Sequence, residues 1–164
     1  MIKEKKRIED ETVHIVLAIY DMELDITIDK NCIEEYRLAA KEVTNRLNAY
    51  MVFYKDRKTE HQIALMTMID LAVYPFLNHS DNDEQKKEIE LSVCDETIKV
   101  TIKERDQELF ERSAKRVTNC YNRYLGHYKD YKTEDTIERM ALLDICLHRM
   151  EWKHKRFMDY FISE

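Results

Sequence analysis

The chain has 164 residues with one glycine, one proline and four cysteines, and 33 acidic against 27 basic residues give a net charge of −6. One glycine excludes phosphate-cradling loops, dinucleotide fingerprints and nucleophile elbows, which need several for close backbone approach and strained turns. The acidic balance argues against sequence-blind binding of nucleic acid, and the scarcity of turn residues predicts long helices on short polar connections.

The opening run from Met1 to Arg7 is charged and leads into Glu9-Asp10-Glu11 without the apolar core of a secretory signal, which predicts a cytoplasmic protein. The most apolar stretch, Ala64 to Leu77, is broken by Asp70 and Pro75 and is too short for membrane insertion. Cys32, Cys94, Cys120 and Cys146 are scattered without a CxxC pair and read as reduced thiols. His148 and His154 are six apart, nearly opposite on a helix, so no metal site or other cofactor is predicted.

In chain order, Ile15, Leu17 and Ile19 alternate with more polar residues, then Leu24, Ile26 and Ile28 do so after Asp21-Met22-Glu23. Period two over short runs with a polar gap predicts a strand hairpin. A helix follows, with Ile33, Tyr36, Ala40, Val43, Leu47, Tyr50 and Tyr54 stepping by three and four. After the polar break Lys55 to Lys58, Thr59 with Gln62 predicts a capping box opening a second helix that stops near Pro75. Asn78 to Lys87 reads as a linker.

The same order returns 74 residues later. The register runs ungapped from His14/Glu88 to Tyr74/His148, with about a third of positions identical, as expected of an internal repeat. Its second hairpin is Ile89, Leu91, Val93 and Ile98, Val100, Ile102, and its first helix carries Phe110, Ala114, Val117, Tyr121, Tyr124 and Tyr128. The last helix, opened by Thr133, is predicted to reach about Ile162. Along it Met140, Leu143, Leu147, Met150, His154, Phe157 and Phe161 hold a coiled-coil-like spacing.

The predicted fold is α+β, with tandem duplicated ββαα units over residues 13–77 and 88–162, joined by the 78–87 linker. A lone hairpin and an amphipathic helix each leave an apolar face uncovered, so the units are expected to pair within the chain as a pseudo-dimer. The seam of the long C-terminal helix has no matching helix in the first unit and predicts self-association into a homodimer. Seven of the ten tyrosines lie on or just after the first helices of the units, at spacing that fits packing better than base stacking. Asp70 and Asp144 occupy equivalent positions among apolar residues, either as interfacial polar partners or on a wet helix edge. No arrangement of nucleophile and base is evident, and no enzyme is predicted.

The hairpin, the helix segment Glu108 to Asn119, the Tyr-Lys-Asp-x-Lys-Thr-Glu connection at Tyr54 to Glu60 and Tyr128 to Glu134, and the seam-bearing helix together resemble the ZapA family of bacterial cell-division proteins. The resemblance covers residues 14–77 and again 88–162. It implies a non-enzymatic cytoplasmic adaptor at the mid-cell division ring that self-associates and binds or crosslinks FtsZ filaments. The charged connections, Lys55, Arg57, Lys58 and Glu60, then Lys129, Lys132 and Glu134, correspond to a region that family uses for partner contact. The alternative is an oligomeric scaffold of the same fold that has lost FtsZ binding and engages another protein.

Overall fold

Alternating apolar residues build two hairpins of equal length in the computed structural model, which describes residues 11–77 and 85–147. Strands β1 (Thr12–Ile19) and β2 (Met22–Asp29) pair antiparallel from Thr12↔Asp29 to Ile19↔Met22. Strands β3 (Lys86–Val93) and β4 (Glu96–Lys103) pair in the same register, from Lys86↔Lys103 to Val93↔Glu96. Leu17, Ile19, Leu24 and Ile28 are buried on the inner face of the first hairpin, and Leu91, Val93, Ile98 and Ile102 on that of the second.

The hairpin turns differ from the expected gap. Met22 and Glu23 already pair with Ile19 and Ala18, and the turn is the dipeptide Tyr20-Asp21, matched by Cys94-Asp95. Tyr20 and Cys94 take the left-handed conformation, at φ 58° and 55°, which side chains other than glycine adopt at a cost of roughly 1–2 kcal/mol. A threonine one helix away secures each. The Tyr20 amide donates to Thr44 Oγ1 and the Cys94 amide to Thr118 Oγ1, both at 2.9 Å, while each hydroxyl donates to the carbonyl four residues before it at 2.8 Å. The linker is also shorter than expected, because Lys86 and Lys87 pair with Lys103 and Ile102 and belong to β3. Gln85, whose carbonyl accepts from the Glu104 amide at 3.2 Å, leads into β3, and residues 78–84 lie outside the described residues.

Each hairpin runs through a short 3-10 turn into a 22-residue helix, α1 (Ile33–Tyr54) or α3 (Gln107–Tyr128). The apolar stripe explains their burial. Ala40, Val43 and Leu47 of α1 and Ala114, Val117 and Tyr121 of α3 are buried, with Tyr50, Tyr54, Tyr124 and Tyr128 half-buried at the far ends. Helix α2 (Glu60–Val73) opens on the expected capping box, in which the Gln62 amide donates to Thr59 Oγ1 and Gln62 Oε1 accepts from the Thr59 amide, both at 3.1 Å. It ends in a 3-10 turn at Tyr74–Phe76 containing Pro75. Helix α4 covers 134–147 of the described residues, capped by Thr133 Oγ1 accepting from the Thr136 amide at 3.2 Å.

The fold is therefore α+β, with two small antiparallel sheets and, among the described residues, four α-helices. Every strand and both 22-residue helices recur at an interval of 74 residues. Helix α2 is apolar on nearly all sides, with Ile63, Leu65, Met68 and Leu71 fully buried, because it packs against both α1 and α3. At about 1.5–3 kcal/mol for each large apolar side chain removed from water, this shared helix joins the two halves into one core. No helix among the described residues is long and apolar enough to cross a membrane.

Candidate functional site

The α1–α2 and α3–α4 connections have the same backbone. The amides of Arg57 and Lys58 donate to the Tyr54 carbonyl at 2.9 and 3.2 Å, and those of Tyr131 and Lys132 to the Tyr128 carbonyl, both at 2.9 Å. These bonds satisfy carbonyls that a helix end leaves without intrahelical donors, and a helix C-terminus also favours nearby cations. Arg57 adds a second link of the same kind by donating to the Phe53 carbonyl at 2.7 Å.

The basic side chains lie over rings. The Arg57 guanidinium is 4.8 Å from the Phe53 centroid and 5.3 Å from that of Tyr54, and the ammonium groups of Lys58 and Lys132 are each 5.9 Å from Tyr54 and Tyr128. Cation–π contacts of this sort contribute about 0.5–1 kcal/mol at exposed sites and hold the charge in place. Tyr54 stacks on Tyr50 at 6.2 Å and Tyr128 on Tyr124 at 6.1 Å, so each cation rests on a layered aromatic support. Lys55, Arg57, Glu60, Lys129, Lys132 and Glu134 are exposed and Lys58 is half-buried.

Val52 and Phe53, outside the apolar stripe, are exposed near the end of α1, and Tyr131, expected to pack like the other tyrosines of the first helices, is exposed instead. The signal was available, because Val52 and Phe53 fall out of phase with the Tyr50–Tyr54 step and so point away from the core. Exposed aromatics beside arginine are the composition enriched at protein interfaces, with no cavity needed for a small molecule.

Of the expected self-association residues, Leu143 and Leu147 are buried in the core shared by both halves and Met140 is packed against it. That part of the seam is thus occupied inside the chain. Met150, His154, Phe157 and Phe161 lie outside the described residues.

A second polar assembly ties the halves together. His61, in the first turn of α2, has Nδ1 hydrogen-bonded to Glu138 of α4 and Nε2 3.1 Å from Asp95 Oδ1 in the second hairpin turn. Burial pulls the His61 pKa down, but the hydrogen bonds and charges of Glu138 and Asp95 outweigh it, and the net shift is upward. Glu138 is also raised, because burial outweighs the hydrogen bond and charge of His61. The other hairpin turn makes the reciprocal contact: Asp21 accepts from buried Arg139 of α4 at 3.1 Å. His61, Asp95 and Glu96 place one potential metal-ligand atom each within 4.8 Å. With a carboxylate on both ring nitrogens, however, His61 serves best as a doubly donating imidazolium with no lone pair to offer a metal.

Asp70 and Asp144 are polar partners within the chain. Asp70 accepts from Arg46 at 2.7 Å, and Asp144 from the Cys120 thiol at 3.4 Å, with Arg123 3.5 Å away. The hydroxyl pKa values of Tyr50 and Tyr124, one turn further on, are raised by burial first and then by the charges of Asp70 and Asp144. Burial, then Asp70, pushes the Tyr50 hydroxyl up to about 12.

No family model, curated protein or solved structure matches this chain.

Proposed function

We propose that this protein is a non-enzymatic adaptor of bacterial cell division, formed by tandem duplication of a ZapA-like unit, that self-associates and crosslinks FtsZ filaments at the mid-cell ring. The observation that carries the reading is the repetition of every strand and both 22-residue helices at 74 residues, with the halves packed through one shared helix. A duplicated ββαα unit that pairs with itself accounts for that repetition, and the residues of both copies carry the ZapA resemblance. The basic connections, Lys55, Arg57 and Lys58 and then Lys129 and Lys132, are the filament contacts in this reading. Having one in each copy provides the two contacts that crosslinking needs.

In this reading the remainder of the predicted seam, Met150, His154, Phe157 and Phe161, which lies outside the described residues, forms a long coiled-coil-like helix that joins two chains as a homodimer in the cytoplasm. One observation favours a second reading, a scaffold of the same fold for a different protein: the hairpin turns carry Asp21 and Asp95, both engaged within the chain. The two readings separate by light scattering from FtsZ polymers assembled with GTP. A rise in scattering on adding the chain supports the adaptor. An unchanged signal with folded protein at equimolar ratio leaves the scaffold.

A further inference from the structure

The two halves differ most tellingly at one pair of equivalent surfaces. A groove runs between β1 and α1, lined by Val16, Ala18, Arg37 and Lys41 among others, and its counterpart runs between β3 and α3. In the first half Val16, which lines the groove, and Leu38, next to Arg37 in the chain, leave 54% and 51% of their surface in water. At the matching positions the second half carries Glu90 and Arg112.

Edge strands present unpaired main-chain donors and acceptors, and charged side chains are the usual protection against unwanted pairing. Strand β3 has that protection in Lys86, Lys87, Glu88 and Glu90. Strand β1, Thr-Val-His-Ile-Val-Leu-Ala-Ile, has neither an acidic residue nor a lysine or arginine over its full length. Among the described residues it pairs only with β2, so its other edge has no strand partner.

The charge of the groove selects the occupant. Among the described residues, Arg37 and Lys41 are the only charged ones lining the first groove, in a chain of net charge −6, and neither has an ion-pair partner there. The second groove instead mixes Glu90, Glu108 and Glu111 with Arg112 and Lys115. We propose that the groove between β1 and α1 binds an extended acidic segment of a partner protein by strand addition to β1. Main-chain hydrogen bonds to the β1 edge supply the affinity and alternate side chains the selectivity. Carboxylates of the segment meet Arg37 and Lys41, and an apolar side chain covers Val16. A second copy of this chain fits less well, because pairing β1 with β1 brings two sets of Arg37 and Lys41 to one seam. This surface is separate from the basic connections, and the proposal does not depend on FtsZ as partner.

The test uses the full chain and three eight-residue probes: glutamate alternating with valine, lysine alternating with valine, and the glutamate probe with a central proline. Titration followed by amide chemical shifts should move Val16 and Ala18 with the first probe, which should bind at least tenfold more tightly than the other two. Val16→Glu with Leu38→Arg installs residue types the second half carries on the same backbone, and should weaken that binding at least tenfold. Arg37→Glu with Lys41→Glu should reverse the preference between the glutamate and lysine probes. The proposal is overturned by no saturable binding at millimolar probe, by shifts centred on the connections, or by unchanged affinity in both variants. It is also overturned by chain dimerisation that the Val16→Glu, Leu38→Arg variant abolishes, which would make a second copy the occupant.

Discussion

Replacing His61 by alanine should destabilise the protein by about 2–3 kcal/mol at pH 6. The figure starts from the roughly 3–5 kcal/mol cost of removing one partner of a buried ion pair. It is then reduced because the His61 side chain is 29% exposed, although that of Glu138 is only 6% exposed. For a chain of this size that corresponds to a fall in Tm of about 4–12 °C. The pH dependence distinguishes an ion pair from simple packing. His61 has a raised folded pKa, so its stabilisation is complete below its unfolded value of 6.5 and is lost as pH rises through the folded value. Glu138 is raised above 4.5 and acts in the same direction, since the folded state holds its proton more strongly. Asp95 is lowered by the His61 hydrogen bond, and its contribution is lost as pH falls through its folded pKa, but this group is mostly exposed and counts for little. Urea unfolding at pH 6 and pH 9 should show the wild type less stable at pH 9 and the His61→Ala variant nearly level between them. An equal loss at both pH values, or a loss under about 0.5 kcal/mol, would refute the imidazolium bridge.

Three further predictions follow from local chemistry. Gly126 lies inside α3 with nothing within 4 Å of an added Cβ, so Gly126→Ala should stabilise by about 0.5–1 kcal/mol in thermal unfolding. Thr44→Val and Thr118→Val each strip the hydroxyl that holds a left-handed turn residue, and each should lose about 1–2 kcal/mol by urea unfolding. Burial pushes the thiol of Cys94 up to about 11 and that of Cys120 up to about 12, so alkylation at pH 8, followed by peptide mass mapping, should find both far slower than a free thiol.

The strands and first helices were legible because each carries a single clean period. Ile15-Leu17-Ile19 alternates, and Ala40-Val43-Leu47 steps by three and four; the structure buries Leu17, Ile19, Ala40, Val43 and Leu47. The Thr59–Gln62 cap was legible because its chemistry is contained within four residues. The turn positions were misread by one or two residues, since Tyr20 and Cys94 take a conformation usually left to glycine and depend on threonines 24 residues away. The His61–Glu138 and Asp21–Arg139 contacts span 77 and 118 residues, and no local pattern announces partners brought together only by tertiary packing. Leu143 and Leu147 continue the seam in sequence, yet the intramolecular core claims them, because a 3-4 stripe specifies a buried face without naming its partner.

Co-sedimentation with FtsZ polymers, comparing the wild type with Lys55, Arg57 and Lys58 all changed to glutamate, tests the adaptor reading most directly. The three side chains sit at the surface or half-buried beyond a helix end, so the variant should remain folded. Wild-type chain should pellet with the polymers at moderate salt, and charge reversal should sharply reduce the pelleted fraction while leaving the circular dichroism spectrum intact. Failure of the folded wild type to pellet, or equal pelleting by the variant, would contradict it.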